Sequence, residues 1–198
     1  MADLQTVLLP TGAPATSAMR PADRPQSLKG LRIGLLDNGK EFSDQVLEAL
    51  ADVLRRDHGV TNIKFWRKGF PAKGAPFIAE MAAETDVAIS GVGHCGSYSP
   101  WSVIDAVNLE KAGVPSIALI SRSFCPLGQI VARGEGHGSL PIVMLPHPIG
   151  EADMGKIAQK GAEAAAECVR LLTTPGETLG REFAAKKFPL PEHAVPRG

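Results

Sequence analysis

One histidine and one cysteine stand side by side in a glycine-rich turn, Gly91-Val-Gly-His-Cys-Gly-Ser97. A thiolate attacks carbon, sulfur or selenium centres, and an adjacent imidazole can hold a proton or supply positive charge. The turn follows an apolar run and precedes a helical pattern, so it should link a buried strand to a helix. Ser99 is the expected N-cap and Pro100 the expected first helical residue. Free amides and the positive end of the helix dipole there favour any anion, a thiolate included. Gly91, Gly93 and Gly96 are expected to allow positive φ angles and close approach of the backbone to a ligand. Cys95 is thus the candidate nucleophile or redox thiol, and His94 its acid–base or anion-stabilising neighbour. Gly93, Gly96, Ser97, Tyr98 and Trp101 are candidate substrate contacts around them. The competing reading is that Cys95 fills a small site under the loop, and neighbours in a turn often point apart.

The other cysteines read differently. Cys168 lies on the apolar stripe of the last long helical pattern and should be core. Cys125 follows the fourth strand pattern and could face the same crevice, with packing as its default role. His94, Cys95, His137 and His147 all fall in expected loops and offer ligands that zinc accepts. They lack the short repeated spacing of a structural zinc site, and no metal or other cofactor is expected. The glycine run is neither the dinucleotide fingerprint nor a P-loop, so a nucleotide is not expected either.

These residues need a scaffold, and the rest of the chain describes one. "LRIGLLDN", "NIKFW", "DVAISGVG", "PSIALIS" and "LPIVMLP" are short apolar runs bounded by turn residues, the pattern of buried strands. Between and after them lie helical patterns beginning near Ser43, Pro76, Pro100 and Phe124, with a long closing one from Glu151 to Thr173. Strict alternation argues for an α/β fold, a flavodoxin-like three-layer sandwich on a five-stranded parallel sheet. Ligands in such folds bind outside the carboxyl ends of the strands, where strand order reverses. Asp37, Asn38 and Lys40 after the first strand and His147 after the fifth are therefore further candidate substrate contacts. Turn-forming is the competing role for Asp37 and Asn38. Residues 1–28, rich in proline and alanine, read as an extended arm laid across a second subunit. Residues 29–180 form the domain and 181–198 a tail.

Composition narrows the class. The chain has 198 residues, 44% of them apolar, enough for one good core. Lys plus Arg equals Asp plus Glu at 21 each, which argues against a nucleic-acid or membrane-surface partner needing a broad basic face. No apolar run reaches the ~18–20 residues of a spanning helix. An odd cysteine count and no leader-like start suit the cytoplasm. The expected partners are a small-molecule substrate and a second copy or related subunit.

The stretch "GVGHCGSYSPWSVIDAVNLEKAGVPSIAL" resembles the UGSC family, whose motif reads selenocysteine-Gly-Ser-Cys within "GVGD-U-GSCTSWSVHDA". "LKGLRIGLLDNGK" and "LPHPIG" extend the resemblance over most of the chain. The resemblance implies that Cys95 holds the reactive position, selenocysteine in some relatives and cysteine in others. It also extends, more distantly, to the selenoprotein B component of glycine, sarcosine and betaine reductases. Two departures matter. Tyr98 replaces the second motif cysteine, so no resolving pair can close a redox ring. His94 replaces an aspartate, which removes a negative neighbour of the thiolate. The expected function is a thiol-dependent enzyme, reductase-like or cleaving a carbon–heteroatom bond. The alternative from another class is a non-catalytic binding or scaffolding subunit.

Overall fold

A computed structural model describes residues 19–190 of the chain. Five parallel strands run in the order β2-β1-β3-β4-β5: Arg32–Asp37 (β1), Asn62–Arg67 (β2), Val87–Gly93 (β3), Ser116–Ser121 (β4) and Ile142–Leu145 (β5). Among the described residues six α-helices accompany them: Ser43–His58 (α1), Ile78–Glu84 (α2), Tyr98–Lys111 (α3), Cys125–Gly134 (α4), Met154–Thr173 (α5) and Gly176–Ala185 (α6). This is the flavodoxin-like strand order, in which β1 and β3 flank the point of reversal.

The strands read as continuous apolar runs because helices cover both sheet faces. Every residue of β3 and β4 is buried, whereas the edge strand β2 buries only Trp66 fully. Helices α1 and α5 pack together on one face, and α2, α3 and α4 lie side by side on the other. The α1–α5 crossing is close because Gly161 has no side chain. A Cβ there would stand 2.0 Å from the Val46 carbonyl oxygen, in hard overlap with backbone.

Three expectations change. Helix α3 begins at Tyr98 because the Ser99 amide and hydroxyl both donate to the Cys95 carbonyl, at 3.2 and 2.7 Å. The winding therefore starts earlier than an N-cap at Ser99 implies. The described part of the arm, residues 19–28, packs on its own chain. Ala22 N and the Arg24 guanidinium bind the buried Glu110 carboxylate at 2.6 and 2.7 Å, and Leu28 is core. Residues 1–18, where the rest of the expected intersubunit arm falls, lie outside the described residues. Finally, α6 crosses the boundary expected at residue 180. Its Leu179 and Phe183 are buried, and Phe188 beyond it is 8% exposed, so the body of the domain continues past that point.

Candidate active site

Strand order reverses between β1 and β3, and folds of this kind bind ligands in a crevice outside the strand ends at that point. Asp37 pairs in register with Gly91, so the turns that follow the two strands begin side by side. The β1 turn is built on buried side chains. Asn38, 1% exposed, donates to the Val92 carbonyl at 2.7 Å and to Ser102 Oγ at 2.9 Å. Its Oδ1 accepts from the Lys40 amide at 2.9 Å and from Ser43 Oγ at 3.0 Å. One amide thus ties β1, β3, α1 and α3 together beneath the crevice. Asp37 is also buried; it accepts from the Gly39 amide at 2.8 Å and meets Arg67 at 3.3 Å. Burial pushes its carboxyl above the ordinary value, and the Gly39 amide and Arg67 offset only part of that. Both side chains are buried and engaged within the turn they support, the competing role weighed for them.

Gly39 is a position where glycine is required. Its φ is +79°, and a Cβ would stand 2.3 Å from the Lys68 carbonyl oxygen. Three residues on, Phe42 adopts φ 68°, a left-handed conformation costly for a bulky side chain. Its ring presses on Gly150, where an added Cβ would come within 2.6 Å. That contact docks the β1 turn against the β5 loop, and Lys40 and His147 both come within electrostatic reach of His94.

Cys95 is half-buried at the mouth of the β3 loop. Its Sγ lies 3.6 Å from Ser97 Oγ. Burial pushes the thiol up, but the Tyr98 amide, the Ser97 hydroxyl and amide, and the Lys40 charge together bring it below the ordinary thiol value. The other two cysteines go the opposite way. Burial pushes Cys125 up to about 12 and raises Cys168 further. Cys125 Sγ donates into the end of β4, to the Ile120 carbonyl at 3.4 Å, so it packs in the core and does not face the crevice.

The glycines of the loop serve close approach, not left-handed backbone: none of Gly91, Gly93 and Gly96 has a positive φ. A Cβ on Gly93 would meet Ser99 Cα at 2.8 Å, so this glycine lets the start of α3 press on the strand end. Gly96 is exposed, with open space around it. Tyr98 is 8% exposed, with Lys40 Nζ 5.8 Å from its ring centre. Trp101, one turn further, is half-buried and rests against Gly74 in the β2–α2 loop. That loop is held by the buried pair of Lys68 with Asp105, whose other oxygen accepts from the Ala75 amide at 2.8 Å.

His94 is anchored to the β1 turn through one ring nitrogen. Its Nε2 donates to the Glu41 carbonyl at 3.0 Å, which leaves Nδ1 as the lone-pair nitrogen of the neutral ring. Burial lowers its pKa, and the nearby Lys40 and His147 lower it further against the opposing Glu41 bond. His147 is exposed, shares a hydrogen bond of 3.1 Å with Ser121 Oγ, and meets Phe124 edge-on at 5.7 Å. His137, the other histidine weighed as a metal ligand, precedes β5 and so lies at the opposite end of the sheet, buried beside Glu110. Among the described residues no three His, Cys, Asp or Glu side chains are grouped to hold a metal ion.

The UGSC family model matches residues 6–174. The chain belongs to the UGSC family. No curated protein matches it. Among solved structures, the lactose-specific IIB component domain of the phosphoenolpyruvate:carbohydrate phosphotransferase system from Streptococcus pneumoniae is similar at 12% identity. It covers 72% of this chain and 97% of that one, with a TM-score of 0.31. A flavodoxin-like domain from Synechococcus sp. is 13% identical, covering 70% of this chain and 98% of that one at a TM-score of 0.35. No helix among the described residues is long and apolar enough to cross a membrane.

Proposed function

We propose that this UGSC-family protein is a thiol-dependent enzyme acting on a small organic substrate, with Cys95 as the attacking sulfur. The observation that carries the reading is the environment of the three cysteines: Cys95 alone is half-exposed, with the Ser97 hydroxyl 3.6 Å from its sulfur, and its pKa is lowered where burial raises the other two. In the first step the thiolate attacks an electrophilic carbon. An S–C bond forms as the bond to the leaving group breaks, and the leaving group takes the electron pair. The amides of Ser97 and Tyr98 hold the negative charge on sulfur before attack. His94 stands ready as a base, because its Nδ1 lone pair is unprotonated. With an acyl carbon, a water that gives its proton to Nδ1 hydrolyses the thioester and restores the thiol.

Disulfide chemistry within the chain fits less well. Tyr98 stands where the family motif has its second cysteine, and Cys125 and Cys168 are both buried. The deciding experiment is the pH dependence of Cys95 alkylation by iodoacetamide. The expected midpoint lies below that of a free thiol, ~8.5. A midpoint at or above that value removes the nucleophile and leaves a non-catalytic binding subunit as the reading.

A further inference from the structure

The charges around Cys95 are not balanced. Arg67 is taken by Asp37 and Asp44, and Lys68 by Asp105. Lys160 at the β5 side of the molecule is taken by Glu151 and two backbone carbonyls. Lys40, half-buried between the β1 and β3 loops, makes no ion pair among the described residues, and its Nζ lies 5.8 Å from the Tyr98 ring centre. The nearest acids do not neutralise it. Asp37 is buried beneath the turn with its oxygens engaged, and Glu41 is exposed, its charge bearing on His94. The charge of this ammonium bears on both the Cys95 thiol and the His94 ring. A cation held in place by a strained, glycine-dependent turn and left without an anion is set to receive one from a ligand.

We propose that the crevice selects small carboxylic acids: the substrate's carboxylate binds Lys40 while its electrophilic carbon is presented to Cys95 Sγ. This deepens the thiol-enzyme reading and rests on it for the reacting atom. A compact molecule suits this placement, because Lys40 Nζ lies 5.8 Å from the ring centre of Tyr98, three residues beyond the sulfur. A single fixed cation beside the nucleophile favours an anion one or two bonds from the reacting carbon.

Two alkylating reagents of nearly equal shape test it. Iodoacetate carries the carboxylate, and iodoacetamide does not. With either one, the Cys95 sulfur bonds to the methylene carbon and iodide leaves with the C–I electron pair. The quantity to read is the iodoacetate-to-iodoacetamide rate ratio at Cys95, divided by the same ratio for glutathione. A carboxylate paired with one partly exposed ammonium should raise it about three- to tenfold. The rise should shrink in 1 M salt, where screening is strong. Lys40→Met should return the normalised ratio to one and Lys40→Arg should retain it, with circular dichroism confirming that both variants fold. Acetate should slow iodoacetate labelling, and acetamide should not. A ratio of one in the wild type, a raised ratio unchanged in Lys40→Met, or protection by inorganic phosphate but not acetate overturns the inference. Slow iodoacetamide labelling with a free-thiol midpoint instead overturns the nucleophile, whatever the ratio shows.

Discussion

Two ends of the sheet each gather ionisable groups, and they treat them in opposite ways. At the end where the strands begin, Glu110 takes its hydrogen bonds from Arg24, Ala22 N and Ser116 N, with His137 Nε2 at 3.5 Å. The Arg24 and Glu110 side chains are 0% exposed. Every lobe of that carboxylate is used, and the group fastens the arm to the domain. At the end where the strands finish, Lys40 makes no ion pair and His94 Nδ1 no hydrogen bond among the described residues, and Cys95 Sγ has only the Ser97 hydroxyl, at 3.6 Å. A buried ion pair missing one partner is costly, so complete pairing marks a structural joint. Groups held in place yet unpaired beside a crevice mark a site.

The sharpest way to break the contrast is at sulfur. Brief labelling at pH 6.5 followed by peptide mapping should modify Cys95 at least ~10³ times faster than Cys125 or Cys168, because burial leaves those two almost no thiolate. If Cys125 labels first, the assignment of the crevice fails.

Next in size is the joint at the other end. Glu110→Ala should cost about 3–5 kcal/mol in urea unfolding at pH 7, since it strands Arg24 in the interior. Burial pushes the Glu110 carboxyl up, but His137, Arg24 and the Ala22 amide more than offset it, so the folded value lies below the ordinary one. The folded state therefore binds fewer protons than the unfolded chain. The stabilisation is complete above the ordinary carboxylate range near ~4.3 and is lost as pH falls through the depressed folded value. The gap between wild type and variant should thus narrow in acid. Lys40→Met, by contrast, should stay within about 0.5 kcal/mol of wild type. An equal cost at both ends would erase the distinction between joint and site.

Asn38→Ala falls between these cases. It strips partners from the Val92 carbonyl, Ser102, Ser43 and the Lys40 amide, for about 1–3 kcal/mol. Because the Lys40 turn rests on it, Cys95 alkylation by iodoacetate should slow as well. A loss of stability with unchanged alkylation would make Asn38 a joint only.

Much of this was legible in the chain, for reasons that also mark where legibility stops. Central strands covered on both faces read as apolar runs, and β3 and β4 are buried at every residue. The turn holding Cys95 shows locally, because a strand, glycines and a helix start are all short-range patterns. The arm's anchor is not local: Arg24 and Glu110 are 86 positions apart, and no periodicity connects them. Helix α6 escaped notice because its buried face is two residues, Leu179 and Phe183, in a ten-residue segment interrupted by Gly180. Asn38 and Asp37 have the residue types of a turn, and sequence gives no sign that their side chains point inward. Lys40 gave no sign of its unpaired state, since pairing depends on which acids the fold brings near.

The smallest effect concerns His94, where adjacency in sequence suggests more coupling than the geometry allows. A cationic imidazole would hold the Cys95 thiolate down, but this ring is kept neutral by burial and by Lys40 and His147, and its Nε2–H points to Glu41. Removing a neutral ring should barely move the sulfur. His94→Gln is expected to shift the Cys95 pKa by less than about 0.3 units, or ~0.4 kcal/mol. His94→Asp restores the charge found at this place in the family motif and should raise it by about 1 unit, through repulsion of the thiolate. Thiolate absorbance followed against pH, corrected with Cys95→Ser, measures both. The two variants separate the ring's influence on sulfur from its influence on turnover. If Gln leaves the thiol unchanged but slows hydrolysis of the acyl-enzyme, His94 works as the base at Nδ1. If Gln raises the pKa as much as Asp does, the ring is a cation beside the sulfur, and Lys40 is no longer the charge that sets the crevice apart.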